Sequence, residues 1–133
     1  MHEQLARLVS REPHVGEQNA LHLAKLAWEH ERMDLGHGIE IDDQALETFC
    51  SACGVKRLAL FGSVLEDRFA VGSDLDVLVE FESGRTPGML TLAAMELELE
   101  KLVGLPVDLR TYADLSRYFR DQVAAQARPI YAA

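Results

Sequence analysis

Leu60-Phe61-Gly62-Ser63 and, after ten intervening residues, Asp74-Leu75-Asp76-Val77-Leu78-Val79 decide how this chain folds. A short apolar run that breaks at Gly-Ser and opens a new element offers backbone N–H groups and a hydroxyl to an anion, the makings of a phosphate seat. In an extended strand, residues two apart share a face and are separated by roughly 6–7 Å of rise. Asp74 and Asp76 therefore project together, while Leu75, Val77 and Val79 face the opposite way into a core. Two like charges on one face repel, and a cation between them is the simplest relief. Hard carboxylates beside a phosphate seat suit magnesium.

The flanking pattern places these motifs on elements. Residues 55–61 read as a first strand ending at Gly62-Ser63, and a short helix is predicted over 64–69 with its N-terminus toward bound phosphates. Gly72-Ser73 turns the chain into a second strand, 74–81. Thr86-Pro87 reads as N-cap and first residue of a helix reaching 103. That helix is expected to bury Met89, Leu92, Met95, Leu99 and Leu102 and to show Glu96, Glu100 and Lys101 to water. Gly104 stops it, and a third strand, 106–111, carries Asp108. Asp114 or Ser116 then caps a last helix to about 126, before a short extended piece at 128–131.

Upstream, Asp42 is a candidate N-cap for a helix whose Leu46, Phe49, Cys50 and Cys53 fall at i, i+3, i+4 and i+7, ended by Gly54. Residues 2–11 and 17–33 have helical apolar spacing, and Gly36-His37-Gly38 breaks the chain. A DNA-binding helix-turn-helix is disfavoured there, because Arg7, Arg11, Lys25 and Arg32 stand against six acidic residues up to Gly38. A packing or oligomer-forming extension over 1–38, ahead of a domain over 39–133, is the expectation. His2, His14, His22, His30 and His37 are scattered. His22 and His30 lie eight residues apart, too far to share an ion.

Composition narrows the classes. At 133 residues, 48 % hydrophobic and 26 % charged, the chain has the balance of an ordinary globular domain. No run approaches the roughly 20 apolar residues of a membrane span, and the N-terminus lacks a signal-peptide plan, so the expected location is cytoplasmic. Cys50 and Cys53 have no second pair with which to build a four-ligand zinc site, and the helical spacing turns both toward a core. A formal net charge of −9 with no basic block argues against a polynucleotide as direct substrate. It suits a nucleotide arriving with its own metal ions, or a partner protein with a basic face. The order helix, strand, short helix, strand, helix, strand, helix makes an α+β (α/β) domain with one small mixed sheet flanked by helices.

Gly62-Ser63, ten residues and Asp74-x-Asp76, with Asp108 in a later strand, resembles the signature of the nucleotidyltransferase superfamily related to DNA polymerase β. The stretch 60–81, with Gly84-Arg85-Thr86-Pro87-Gly88 and Pro106-Val107-Asp108-Leu109 after it, is similar to its small branch, the minimal nucleotidyltransferases. The resemblance implies a polymerase β-like fold over about 39–133 and two Mg2+ ions held by Asp74, Asp76 and Asp108, the last a candidate base. It implies ATP as substrate, held by Gly62, Ser63, Ser73 and Arg68. Many relatives place a basic residue soon after Gly-Ser, whereas here Val64-Leu65-Glu66-Asp67 precede Arg68. Minimal members lack an acceptor domain, and in the family they are antitoxins that move AMP from ATP to a tyrosine of a HEPN-type ribonuclease toxin. The alternatives are a catalytically weak antitoxin acting by occlusion, or a small-molecule nucleotidyltransferase whose homo-oligomer builds the acceptor pocket.

Overall fold

The computed structural model describes residues 31–70 and 72–133. The chain divides into residues 1–32 and Met33–Ala133, and the elements below build the second unit. The expected helices over 2–11 and 17–33, and His2, His14, His22 and His30, lie outside the described residues apart from the end of the second helix. That end is corrected: Arg32 and Met33 are strand. Strand β1 (Arg32–Gly36) and strand β2 (Ile39–Asp42) form a two-stranded sheet on their own. Met33, Leu35, Ile39 and Ile41 alternate with polar residues, and Leu35 and Ile41 are buried. Gly36, His37 and Gly38 all have positive φ, which lets the chain reverse in so few residues.

Helix α1 (Asp43–Cys53) starts as its sequence requires, with the Asp42 carboxylate accepting from the N–H groups of Gln44 and Ala45. It ends at Gly54, whose φ of 70° is left-handed. Cys50 belongs to the core and Cys53 packs against it. Strand β3 (Val55–Phe61) leads into a single 3-10 turn, Gly62–Leu65, where an α-helix over 64–69 was expected. The 3-10 turn is closed by the Glu66 N–H on the Ser63 carbonyl. Four residues are too few to nucleate an α-helix.

Strand β4 (Leu75–Phe81), helix α2 (Met89–Val103) and strand β5 (Val107–Thr111) follow. Helix α2 begins two residues later than Thr86-Pro87 suggested. Gly88 is its N-cap, with no side-chain cap, and Met89 is 87 % exposed rather than buried. A 3-10 turn, Tyr112–Asp114, replaces the start of the expected last helix, because Asp114 closes a capping box with Thr111 instead of opening an α-helix. Helix α3 (Arg120–Gln126) and strand β6 (Arg128–Ala132) complete the chain.

The main sheet is four-stranded and mixed, in the order β5-β4-β3-β6. Strand β3 pairs antiparallel with both β4 and β6, while β4 and β5 are parallel. Leu58, Leu60, Val77, Val79 and Leu109 join Leu46, Cys50, Met95 and Leu99 of α1 and α2 in one core. The opposite face carries Asp76, Leu78, Ala59 and Phe61, and a cleft opens on it, lined by Ala59 and Leu78 and by Ala124 of α3 and Ala127 just after that helix. Among the described residues no helix is long and apolar enough to cross a membrane.

Candidate active site

Strand parity and register assemble the acids. Phe61 pairs with Asp76 across the antiparallel ladder, and Asp76 pairs with Asp108 across the parallel one. The two aspartates thus stand on adjacent strands about 4.8 Å apart along the hydrogen-bonding direction. Asp74 lies just before β4, exposed, on the side of the strand from which Asp76 projects.

Gly62 is required by this arrangement. Its φ is +76°, and a Cβ there would lie 2.2 Å from Asp76 Oδ2, so the carboxylate occupies the space any side chain would need. Ser63 is half-buried beside it. The turn that carries Ser63 is braced by the hairpin, since His37 Nε2 lies 3.0 Å from the Val64 carbonyl and its ring packs on Phe69. Sequence reasoning left His37 among the scattered histidines, and no local pattern links residues 27 positions apart.

The electrostatics follow the crowding. Partial burial, then the charges of Asp108 and Asp74, push the Asp76 carboxyl above its ordinary value, and Arg110 partly offsets them. Arg110 Nε donates to Asp108 Oδ1 at 3.1 Å, and this bond holds the guanidinium more firmly protonated. Arg110 sits two residues after Asp108, so strand parity could have identified it as the site's own cation.

Behind Asp108, helix α2 secures the strand. Strand β5 is an edge, so alternate N–H groups point away from β4. The Leu109 N–H donates to Glu96 Oε2 at 2.8 Å and the Val107 N–H to Glu100 Oε2 at 3.1 Å. The two glutamates expected to be solvated are therefore half-buried acceptors that pin the backbone on either side of Asp108. The remaining expected nucleotide ligands lie outside this cluster. Arg68 is exposed and ion-paired with Glu66, and Ser73 Oγ accepts from the Ala70 N–H at 3.2 Å.

Among the described residues no three His, Cys, Asp or Glu side chains form a ready-made metal cage. Magnesium usually takes one or two carboxylates plus substrate phosphates and water, so an open acidic pair fits it better than a closed cage would. The donor set of Asp74, Asp76 and Asp108 is all hard oxygen, and burial first, then the two neighbouring carboxylates, raise the Asp76 carboxyl.

Comparison with known proteins gives consistent likenesses. The family model for the nucleotidyltransferase domain matches residues 42–131. A proposed protein adenylyltransferase of Methanocaldococcus jannaschii is 36 % identical over 74 residues, 56 % of this chain and 77 % of that relative. The protein adenylyltransferase MntA of Thermococcus cleftensis is 41 % identical over 56 residues, 42 % of this chain and 54 % of that relative. A solved structure described as a proposed minimal nucleotidyltransferase superposes with a TM-score of 0.55 at 39 % identity, covering 66 % of this chain and 88 % of its own. A toxin-antitoxin crystal structure with AMP-PNP superposes with a TM-score of 0.57 over 70 % of this chain and 75 % of its own. At 18 % identity, that likeness is one of fold.

Proposed function

Because the chain belongs to the nucleotidyltransferase domain family, we propose that it is a minimal nucleotidyltransferase acting as an antitoxin, which transfers AMP from ATP to a tyrosine hydroxyl of a HEPN-type ribonuclease toxin. The observation that carries this reading is the Asp76 carboxylate lying over Gly62, in register with Asp108 and within the field of Asp74. A relative named as a protein adenylyltransferase and a similarly folded toxin-antitoxin complex with a nucleotide analogue support the choice of reaction and partner.

Each residue has a stated task. Gly62 and Ser63 offer the phosphate tail backbone N–H groups and a hydroxyl. Asp74 and Asp76 would hold one magnesium ion with the triphosphate, and Asp76 and Asp108 a second. Bound magnesium supplies charge neutralisation on the phosphates and a lower pKa for the attacking hydroxyl. In the transfer, the tyrosine oxygen bonds to the α-phosphorus, and the bond from that phosphorus to the oxygen bridging the β-phosphate breaks. Pyrophosphate leaves with the electron pair, and the phenolic proton passes to Asp108. Little else is asked of the protein, since phosphoryl-type transfer depends mainly on positioning and charge.

The test is direct. The protein, magnesium, α-labelled ATP and the product of the neighbouring gene are mixed, beside an Asp76→Asn control. Label on a tyrosine of the neighbour, absent with the variant, is the expected result. A tight complex that never acquires label would replace transfer by occlusion, and label only on an added small molecule would reassign the acceptor.

A further inference from the structure

A cleft of about 480 Å³ opens beside Gly62. One wall is the end of β3 and the 3-10 turn, with Phe61, Leu65 and the adjoining Glu66; the other is α3. From α3 the cleft is lined by Phe119 at the N-cap, Gln122, the half-buried Val123 and Gln126. These fall at i, i+3, i+4 and i+7, one stripe of a helix, with only Val123 among the last three apolar. Such a stripe ordinarily packs into a core and is apolar. Here Phe119 is 60 % exposed and two positions are amides that are also exposed.

The chemistry of the walls suits a flat heterocycle. Phe119, Phe61 and Leu65 offer apolar surface for ring faces, and base-on-aromatic stacking needs no particular base. Edges are read by the amides, and a Gln side chain can donate to a ring nitrogen while accepting from an adjacent amino group. The carboxylate of Glu66 only accepts, and Arg68 holds it at the cleft. The Glu66 oxygen that Arg68 does not take favours a base bearing an exocyclic amine over one bearing a carbonyl there. The cleft volume is in the range of small-ligand sites. Glu66, out of place beside a phosphate, is in place beside an amine.

We propose that this cleft is the nucleobase subsite of the enzyme, stacking an adenine ring against Phe119 while Gln122 and Gln126 bond its amino-bearing edge. The proposal rests on the nucleotidyl-transfer reading and adds the residues that set base preference.

Calorimetric titration of the full chain with magnesium and three ligands tests it: a nonhydrolysable ATP analogue, its guanine counterpart and inorganic tripolyphosphate. The parent is expected to bind the adenine analogue tightest. Phe119→Ala should weaken that analogue roughly 5- to 150-fold while leaving tripolyphosphate unchanged. Gln122→Leu should shrink the preference for adenine over guanine. Equal binding of tripolyphosphate and both analogues by the parent, or variants indistinguishable from it, overturns the subsite and leaves the transfer reading standing. Failure of the parent to bind any of the three overturns both. Phe119 and Gln122 are exposed, so neither variant removes core packing.

Discussion

Removal of the Glu96 carboxylate tests whether α2 secures the third aspartate. Its Oε2 accepts the Leu109 N–H at 2.8 Å, on the outer edge of β5, and Leu109 is itself buried. Glu96→Ala leaves that donor without its partner. An orphaned donor costs about 1–3 kcal/mol, and a bond to a charged acceptor sits toward the upper end, so a loss of about 2 kcal/mol is expected. For a cooperative unit of this size that corresponds to a fall in Tm on the order of 10 °C. Glu96→Gln keeps an acceptor at the same reach and should lose only the charge-assisted part, roughly half as much. The bond lies one residue from Asp108, so slackening it should lower kcat more than it raises KM. Urea unfolding gives the first quantity and steady-state transfer the second. A Glu96→Ala variant within about 0.5 kcal/mol of the parent, or a Gln variant as damaged as the Ala variant, would refute the clamp.

Gly62→Ala forces a Cβ into the space of Asp76 Oδ2, and displacements near 1 Å at a reacting centre cost about 100-fold, so transfer should fall at least that far while the far-ultraviolet spectrum is kept. Asp76 has a folded-state pKa above its ordinary 3.8, so its ionisation opposes folding. The penalty is absent below the ordinary value, grows as pH rises through the interval up to the raised one, and is complete above it. Asp76→Asn should therefore raise the Tm of metal-free protein at pH 7 and lose that advantage near pH 3.5, as read by melts in chelator. Arg110→Gln removes the guanidinium that occupies Asp108 Oδ1, so Mn2+ titration without nucleotide should show several-fold tighter binding. Burial, with Cys53 nearby, pushes the Cys50 thiol up to about 12, so alkylation of the native protein at pH 8 should spare Cys50, and unfolding should expose it.

Most of the acidic site was legible because strands carry a period of two. Once residues 74–81 and 106–111 read as strands, Asp74 and Asp76 had to share a side, and a parallel neighbour could bring Asp108 alongside, as the Asp76 to Asp108 register does. Gly-Ser marked the end of β3 for the same local reason. What could not be read depended on which strand was the edge. Glu96 and Glu100 occupy the polar side of an amphipathic helix, and nothing within α2 distinguishes a solvated carboxylate from one meeting an exposed strand. The β1-β2 hairpin was missed for a different reason. Met33, Leu35, Ile39 and Ile41 alternate, but they follow a long helical apolar pattern, and that longer period absorbed Met33 and left too short a run to read as a strand before Gly36.

The same edge explains why the site is built as it is. A lone third acid on an edge strand would ride on the most mobile backbone of a sheet, since β5 has ladder bonds on one side only. Covering that edge with another strand would satisfy its N–H groups, but would extend the sheet beside the acids. Carboxylates from α2, one turn apart, satisfy alternate N–H groups while α2 also packs Met95 and Leu99 into the core, so the clamp and the core share one helix. In front of the strand, the charges of Asp108 and Asp74 add to the desolvation that burial already imposes on Asp76, leaving an imbalance of like charge. Arg110 moderates that imbalance from within the strand, and a divalent cation arriving with a nucleotide would complete the neutralisation. An acidic centre that is uncomfortable alone would thereby be ready for the cation that the proposed nucleotide brings.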